Sequence, residues 1–222
     1  MTWWPSLSAL GGFGITTSLA VLIAASLASA RRWRPAMGWC SLYAAALLLA
    51  AGSQMAFIGW GVGVQSLSFT GFSGHATRAA VVFPVALFVL LEKKGECWQW
   101  AGAFAGALVA AGVATARVEV NAHTLSEAIS GCLLGLGTGA LFITRAGAVR
   151  INSPEPLLMG ILAFALLLPR GVSIDPHQWL IAGALTLSGQ DRVFLRQGWQ
   201  RAQAPYAPPC LSGRVRFHYL CI

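Results

Sequence analysis

Charge is what this sequence is short of. Only 10% of its 222 residues are charged, and 56% are hydrophobic. An ordinary soluble domain carries about 25% charged residues, so the shortage excludes that class and indicates an integral membrane protein. A long polar insert is missing too. The apolar segments follow one another closely, which argues for one bundle rather than two domains. Paired cysteines are absent: Cys40, Cys97, Cys132, Cys210 and Cys221 are scattered with no CxxC among them. That excludes a recognisable disulfide framework or zinc site. Cys40 and Cys132 fall inside apolar runs, where a thiol behaves as a small hydrophobe. There is no internal repeat. Lys and Arg are missing from Met1 to Ser6, and positive charge follows the first apolar run. Ala28-Ser29-Ala30 has the look of a signal-peptidase site, but that charge order predicts an uncleaved helix with its N-terminus outside.

Positive charge is present, and its placement is informative. The net charge of +8 would fit nucleic acid if the cations were clustered. Instead Arg31, Arg32, Arg34, Lys93, Lys94, Arg145 and Arg150 lie in short connections between apolar runs. Such residues anchor cytoplasmic loops. No nucleic-acid partner is expected.

A membrane-crossing helix needs about 20 mostly apolar residues. Candidate spans run from about Leu7 to Ala30, Met37 to Trp60, Ala76 to Leu91, Trp98 to Thr115, His123 to Ile143, and a short one from Pro156 to Leu168. The run Trp179 to Leu187 is too short to span alone, and is expected to join Gln190 to Trp199 in one tilted or interfacial helix. The predicted fold is therefore all-α: a polytopic transmembrane helix bundle of about six spanning helices plus that C-terminal helix. Residues 1–201 read as one membrane-embedded domain. Residues 202–222, rich in proline and then basic and aromatic, read as a flexible tail.

Two polar stretches interrupt this pattern: Ser73-Gly74-His75, and Arg117 followed by His123 and Glu127. Ionisable groups are costly near a bilayer and rarely sit there without a task. Positive connections follow the first, third and fifth spans, so the loops carrying the polar stretches belong on the opposite, extracytoplasmic face. A shared site is then permitted. His123 and Glu127 are four apart at the start of an apparent helix, within contact range. A carboxylate on one imidazole nitrogen fixes the tautomer and leaves the other free as base or nucleophile. Arg117, expected in the connecting loop, suits bidentate phosphate binding. Ser73 and Gly74 stand at a helix N-terminus, where unpaired N–H groups and the dipole favour an anion. Ser73 either donates to that anion or caps the helix. His75 is the candidate general acid. Arg78, one turn on, can reach a phosphate or pair with Glu127 or headgroups. Glu119 reads as a solvated loop residue, and His177 and His218 as bystanders.

These residues resemble the type 2 phosphatidic acid phosphatase family, within the acid phosphatase and vanadium haloperoxidase superfamily. Phe72-Ser73-Gly74-His75 resembles the family's PSGH motif, with Phe72 for Pro. The stretch from Ala116 to Glu127 resembles its SRxxxxxHxxxD motif, with Ala116 for Ser and Glu127 for Asp. The resemblance covers roughly Gly61 to Gly137. The family's first motif, KxxxxxxRP, is missing: its place reads Gly61 to Thr70, without a cation. Two phosphate-binding cations are therefore absent, and Arg78, Gln65, Ser66 or Ser68 are the candidates to replace them.

The resemblance implies a metal-independent phosphatase with no cofactor. His123 attacks phosphorus to form a phosphohistidine and Glu127 orients it. Arg117, Ser73 and the Gly74 backbone hold the phosphoryl oxygens, and His75 protonates the leaving alkoxide. The expected substrate is a lipid phosphate or pyrophosphate at the extracytoplasmic face of a bacterial inner membrane. Two alternatives stay open. One is a non-catalytic protein that binds or moves a phosphorylated lipid; the other is a lipid phosphotransferase.

Overall fold

The computed structural model describes residues 3–146, 177–196 and 199. Among them the secondary structure is helical, with one isolated bridge between Val64 and Phe69. The elements are α1 (Trp4–Leu10), α2 (Phe13–Ser29), α3 (Trp33–Trp60), α4 (Gly74–Leu90), α5 (Glu96–Glu119), α6 (Leu125–Ala146) and α7 (His177–Ser188). Short 3-10 turns lie at Gln65–Leu67 and Glu92–Lys94. The all-α bundle expected from the apolar runs is what forms.

Among the described residues, four segments are long and apolar enough to cross a bilayer: Trp4–Ser29, Trp33–Trp60, Glu96–Glu119 and Leu125–Arg145. The 17-residue α4 is a shorter apolar helix, roughly 25 Å long at 1.5 Å per residue. The sixth expected span, the C-terminal tail and His218 lie outside the described residues.

Helix α4 is the hub. Its residues from Ala76 to Val82 are all buried, and α5 and α6 pack against it on either side. Small residues make the close approach possible. A Cβ at Gly106 of α5 would lie 2.5 Å from the Phe83 carbonyl carbon, and one at Gly135 of α6 would lie 2.4 Å from the Thr77 oxygen. Helices approach this closely in membranes only where the side chain is reduced to hydrogen or methyl. A larger cluster on the other side joins α2, α3 and α4 through Ile23, Leu27, Trp39, Val81 and Val85. The buried Trp39 indole N–H donates to the Ala20 carbonyl at 2.8 Å, so its one polar group is satisfied.

Three boundaries differ from the hydropathy reading. The first span breaks at Gly11-Gly12, between α1 and α2. A Cβ at Gly11 would meet Val113 at 2.7 Å and the His75 carbonyl at 2.9 Å, so glycine there lets the break press against the start of α4. Second, α5 continues through Arg117 and Glu119, both placed in a loop from sequence. Hydropathy falls where a helix emerges from apolar surroundings, but its backbone hydrogen bonds do not. Third, α7 stops at Ser188. Gly189 adopts a left-handed conformation, φ +65°, which ends the helix and turns the chain aside. The long helix expected through Trp199 does not form: Gln190 to Leu195 are not helical. Phe194 N–H donates instead to the Ile58 carbonyl at 2.9 Å.

Chain direction then sorts the polar residues between two ends. Arg31, Arg32 and Arg34, Lys93 and Lys94, and Arg145 gather at one end of the bundle. The end of α3, the start of α4, the end of α5 and the start of α6 gather at the other.

Candidate functional site

The segment between α3 and α4 is held by side chains rather than by regular structure. Gln54 Nε2 donates to the Phe72 carbonyl at 2.7 Å, and Ser53 Oγ accepts from the Phe72 N–H at 3.0 Å. The Ser126 hydroxyl donates to the Leu67 carbonyl at 2.8 Å, and Ser73 N–H to the Glu127 carbonyl at 3.1 Å. The two sequence motifs are thus fastened to each other at one end of the bundle.

His123 precedes α6 by two residues, and Glu127 sits in its first turn. The expected contact is made: His123 Nδ1 lies 2.9 Å from Glu127 Oε2. An ionised carboxylate only accepts, so Nδ1 carries a proton towards it, and in the neutral imidazole Nε2 is then the nitrogen with the lone pair. Glu127 has no exposed surface. It also accepts from the Thr70 N–H at 2.8 Å, the Thr70 hydroxyl and the Thr124 N–H at 3.1 Å. A buried charge persists only when paired and hydrogen-bonded in this way.

A cavity of about 450 Å3 opens beside this pair. Its polar lining includes Gly74, His75, Arg78, Arg117, His123 and Arg196. Five of the seven sequence candidates therefore line it directly: Gly74, His75, Arg78, Arg117 and His123. Glu127 lies behind His123. Ser73 is not among the lining residues. It is the N-cap residue of α4 but makes no side-chain cap, and its buried Oγ has no hydrogen-bond partner. The capping role expected of the Ser73 hydroxyl is not seen.

The cations are positioned by elements far apart in the chain. Arg117, in the last turn of α5, donates from Nη1 to the Ser8 hydroxyl of α1 at 3.1 Å. Arg78 is 7% exposed and lies over the Phe13 ring, 5.7 Å from its centroid. Its Nη2 is 3.3 Å from the Gly11 carbonyl and 3.4 Å from His75 Nδ1. A Cβ on Gly74 would come within 3.1 Å of Arg78 Nη1, so glycine leaves room for that guanidinium over the helix N-terminus.

Of the replacements considered for the missing cations, Arg78 alone lines the cavity. Gln65 donates to the Trp199 carbonyl at 3.2 Å, and Ser66 and Ser68 are exposed. The residue that sequence reasoning missed is Arg196. Its Nη2 lies 2.8 Å from each carboxylate oxygen of Glu127. No motif marks it, and the contact joins residues 69 apart. His177, taken for a bystander, also lines the cavity. The opposite wall is apolar, with Phe57 and Ile58 of α3, Leu180 and Ile181 of α7, and Phe194. Among the described residues no group of three or more His, Cys, Asp or Glu stands where it could hold a metal ion.

Comparison with known proteins bears on this arrangement. Residues 53–150 match the PAP2 superfamily. An uncharacterised 22.5 kDa protein in the cps region of Klebsiella pneumoniae is 31% identical over 167 residues, covering 71% of this chain and 78% of that protein. No solved structure matches.

Proposed function

The chain belongs to the PAP2 superfamily, whose activity is of the phosphatase type, and from that premise we propose that it hydrolyses a lipid phosphate or pyrophosphate through a phosphohistidine. The observation that carries the reading is the His123–Glu127 pair at 2.9 Å, set in the wall of a cavity that His75, Arg78 and Arg117 also line.

With Nδ1–H held by Glu127, His123 Nε2 attacks phosphorus. The P–N bond forms as the bond to the leaving oxygen breaks. Arg117, Arg78 and the N–H groups at the start of α4 take the charge on the phosphoryl oxygens, as preorganised donors do in phosphoryl transfer. His75 gives its proton to the leaving alkoxide. It then takes a proton from water, whose oxygen attacks phosphorus and releases His123 and inorganic phosphate. No metal enters this scheme.

Two features support a lipid as substrate. The polar lining lies at one end of a bundle of apolar helices, where a lipid headgroup would be presented. The apolar wall made by α3 and α7 suits an acyl or prenyl tail. The cationic connections at the opposite end support an extracytoplasmic site by the positive-inside rule. The N-terminus then lies on the same face, in a bacterial inner membrane.

The test is phosphate release by purified protein from phosphatidate, phosphatidylglycerol phosphate and undecaprenyl pyrophosphate. Release from at least one is expected, with loss of roughly 10^3-fold or more in His123→Ala, the scale of removing a nucleophile. Activity that survives His123→Ala removes His123 from the mechanism.

A further inference from the structure

Arg196 lies outside the residues that match the family. It reaches the site because α7 ends at Gly189 and the chain runs back beside α3, where Phe194 N–H bonds the Ile58 carbonyl. A Cβ on Gly61 would meet the Phe194 ring at 2.8 Å, so the return path is closely fitted to the end of α3. Phe57 and Trp199 then meet edge to face, with centroids 5.1 Å apart.

Delivered there, the guanidinium joins two environments. Nη2 is shared between both oxygens of the wholly buried Glu127 and lies 3.4 Å from the Thr70 hydroxyl. The side chain is nevertheless 35% exposed and lines the cavity. Among the described residues Nη2 is its one nitrogen in a hydrogen bond, and Nε is buried with no partner. A guanidinium has five N–H donors in a planar fork. This one therefore retains donors that the described residues do not use, at the edge of a cavity whose lining also holds the guanidinium groups of Arg78 and Arg117.

The substitutions in the family motifs make the position intelligible. Glu127 has one more rotatable bond than Asp, so its carboxylate needs more restraint to keep Oε2 on His123. The cation-free stretch from Gly61 to Thr70 leaves the phosphate short of positive charge. One guanidinium between carboxylate and cavity answers both needs.

We propose that Arg196 is the third cation of this site: it positions Glu127 against His123 and offers its unused N–H donors to the phosphoryl group. The inference rests on the phosphatase reading. It adds a residue from beyond the family segment to a site otherwise lined by cations from within it.

The test compares wild type with Arg196→Gln, Arg196→Lys and the neighbouring, exposed Arg192→Gln, all with intact helix content by circular dichroism. Two quantities are measured: steady-state hydrolysis of phosphatidate, phosphatidylglycerol phosphate and undecaprenyl pyrophosphate, and the rise in melting temperature caused by inorganic phosphate. Arg196→Gln is expected to raise KM and the half-saturating phosphate concentration tenfold or more, the scale of a lost charged hydrogen bond. It should lower kcat as well, because Glu127 is released. Arg196→Lys, which keeps charge but not the fork, should recover part of the phosphate response and less of kcat. Arg192→Gln should match wild type. Wild type that binds phosphate without turnover, with binding lost in Arg196→Gln, overturns the hydrolytic reading and upholds Arg196 as a phosphate-binding cation alone. Wild-type turnover with unchanged KM and phosphate response in Arg196→Gln overturns this inference alone. Wild type that neither turns over nor responds to phosphate overturns both.

Discussion

Glu127 shows how one residue carries several constraints. Thr70, His123, Thr124 and Arg196 all donate to a carboxylate with no exposed surface. Neutralising it leaves His123 in place but removes the acceptor that selects its tautomer. Glu127→Gln is expected to lower kcat by roughly 10^3-fold or more, the scale seen when the orienting carboxylate of a catalytic triad becomes an amide. Glu127→Asp should be the milder change, since it keeps charge while shortening the reach to His123 and Arg196. Steady-state kinetics on one lipid phosphate would check both, and a Glu127→Gln enzyme as fast as wild type would remove the carboxylate from the chemistry. Much at this scale was legible in the sequence. The spacing of His123 and Glu127 announced their contact, and Gly74 with His75 announced a polar helix start. Arg196 was not legible, because nothing local distinguishes it from a headgroup anchor. Only the turn at Gly189 and the return beside α3 bring it to Glu127.

Between helices, the decisive contacts are those that omit side chains. Gly106 and Gly135 bring α5 and α6 onto the backbone of α4, where an added Cβ would lie 2.5 and 2.4 Å from main-chain atoms. Gly106→Ala and Gly135→Ala are each expected to cost about 1–3 kcal/mol, the usual range for overpacking. Gly137 lies on the same helix as Gly135, and a Cβ there meets nothing within 4 Å. Gly137→Ala should be neutral, or stabilise by up to about 1 kcal/mol through helix propensity. Melting temperatures in detergent distinguish the two classes, and equal losses at all three positions would refute the close-approach account. The helices themselves were readable from apolar runs, because composition reports what a segment can face. Their ends were less readable. Arg117 and Glu119 lowered the hydropathy of α5 in its last turn, and the break at Gly11-Gly12 lies inside an unbroken apolar run. Neither feature is coded by hydrophobicity. The first follows from backbone hydrogen bonding and the second from the nearness of His75 and Val113.

For the molecule as a whole, the two ends differ in the polar residues they gather. The proposed orientation puts the 3-10 turn at Gln65–Leu67 outside and the Lys93–Lys94 connection inside. In a background with the native cysteines replaced by serine, Ser66→Cys should react in intact cells with a membrane-impermeant maleimide. A variant that keeps only Cys97, at the opposite end, should react only after the membrane is broken. The reverse pattern would place the site in the cytoplasm. That the two motifs share one end was legible from loop charge and an even count of spans between them. The contributions of Ser8, Gly11 and Arg196 from outside the family segment were not, since each depends on packing across the bundle.

The Arg196–Glu127 pair also has a place in time. A chain made from its N-terminus lays down α1 to α6, with both histidines and Glu127, well before Arg196 exists. Until then the carboxylate lacks its cation, and a buried charge without its partner is strongly unfavourable. Thr70, Thr124 and His123 can hold it only in part. The Glu127–Arg196 pair can therefore form only once residue 196 has been made and the segment after α7 is available to dock. A ribosome-bound chain halted before residue 196 would carry both of the family motifs this sequence has and still lack the Arg196–Glu127 pair.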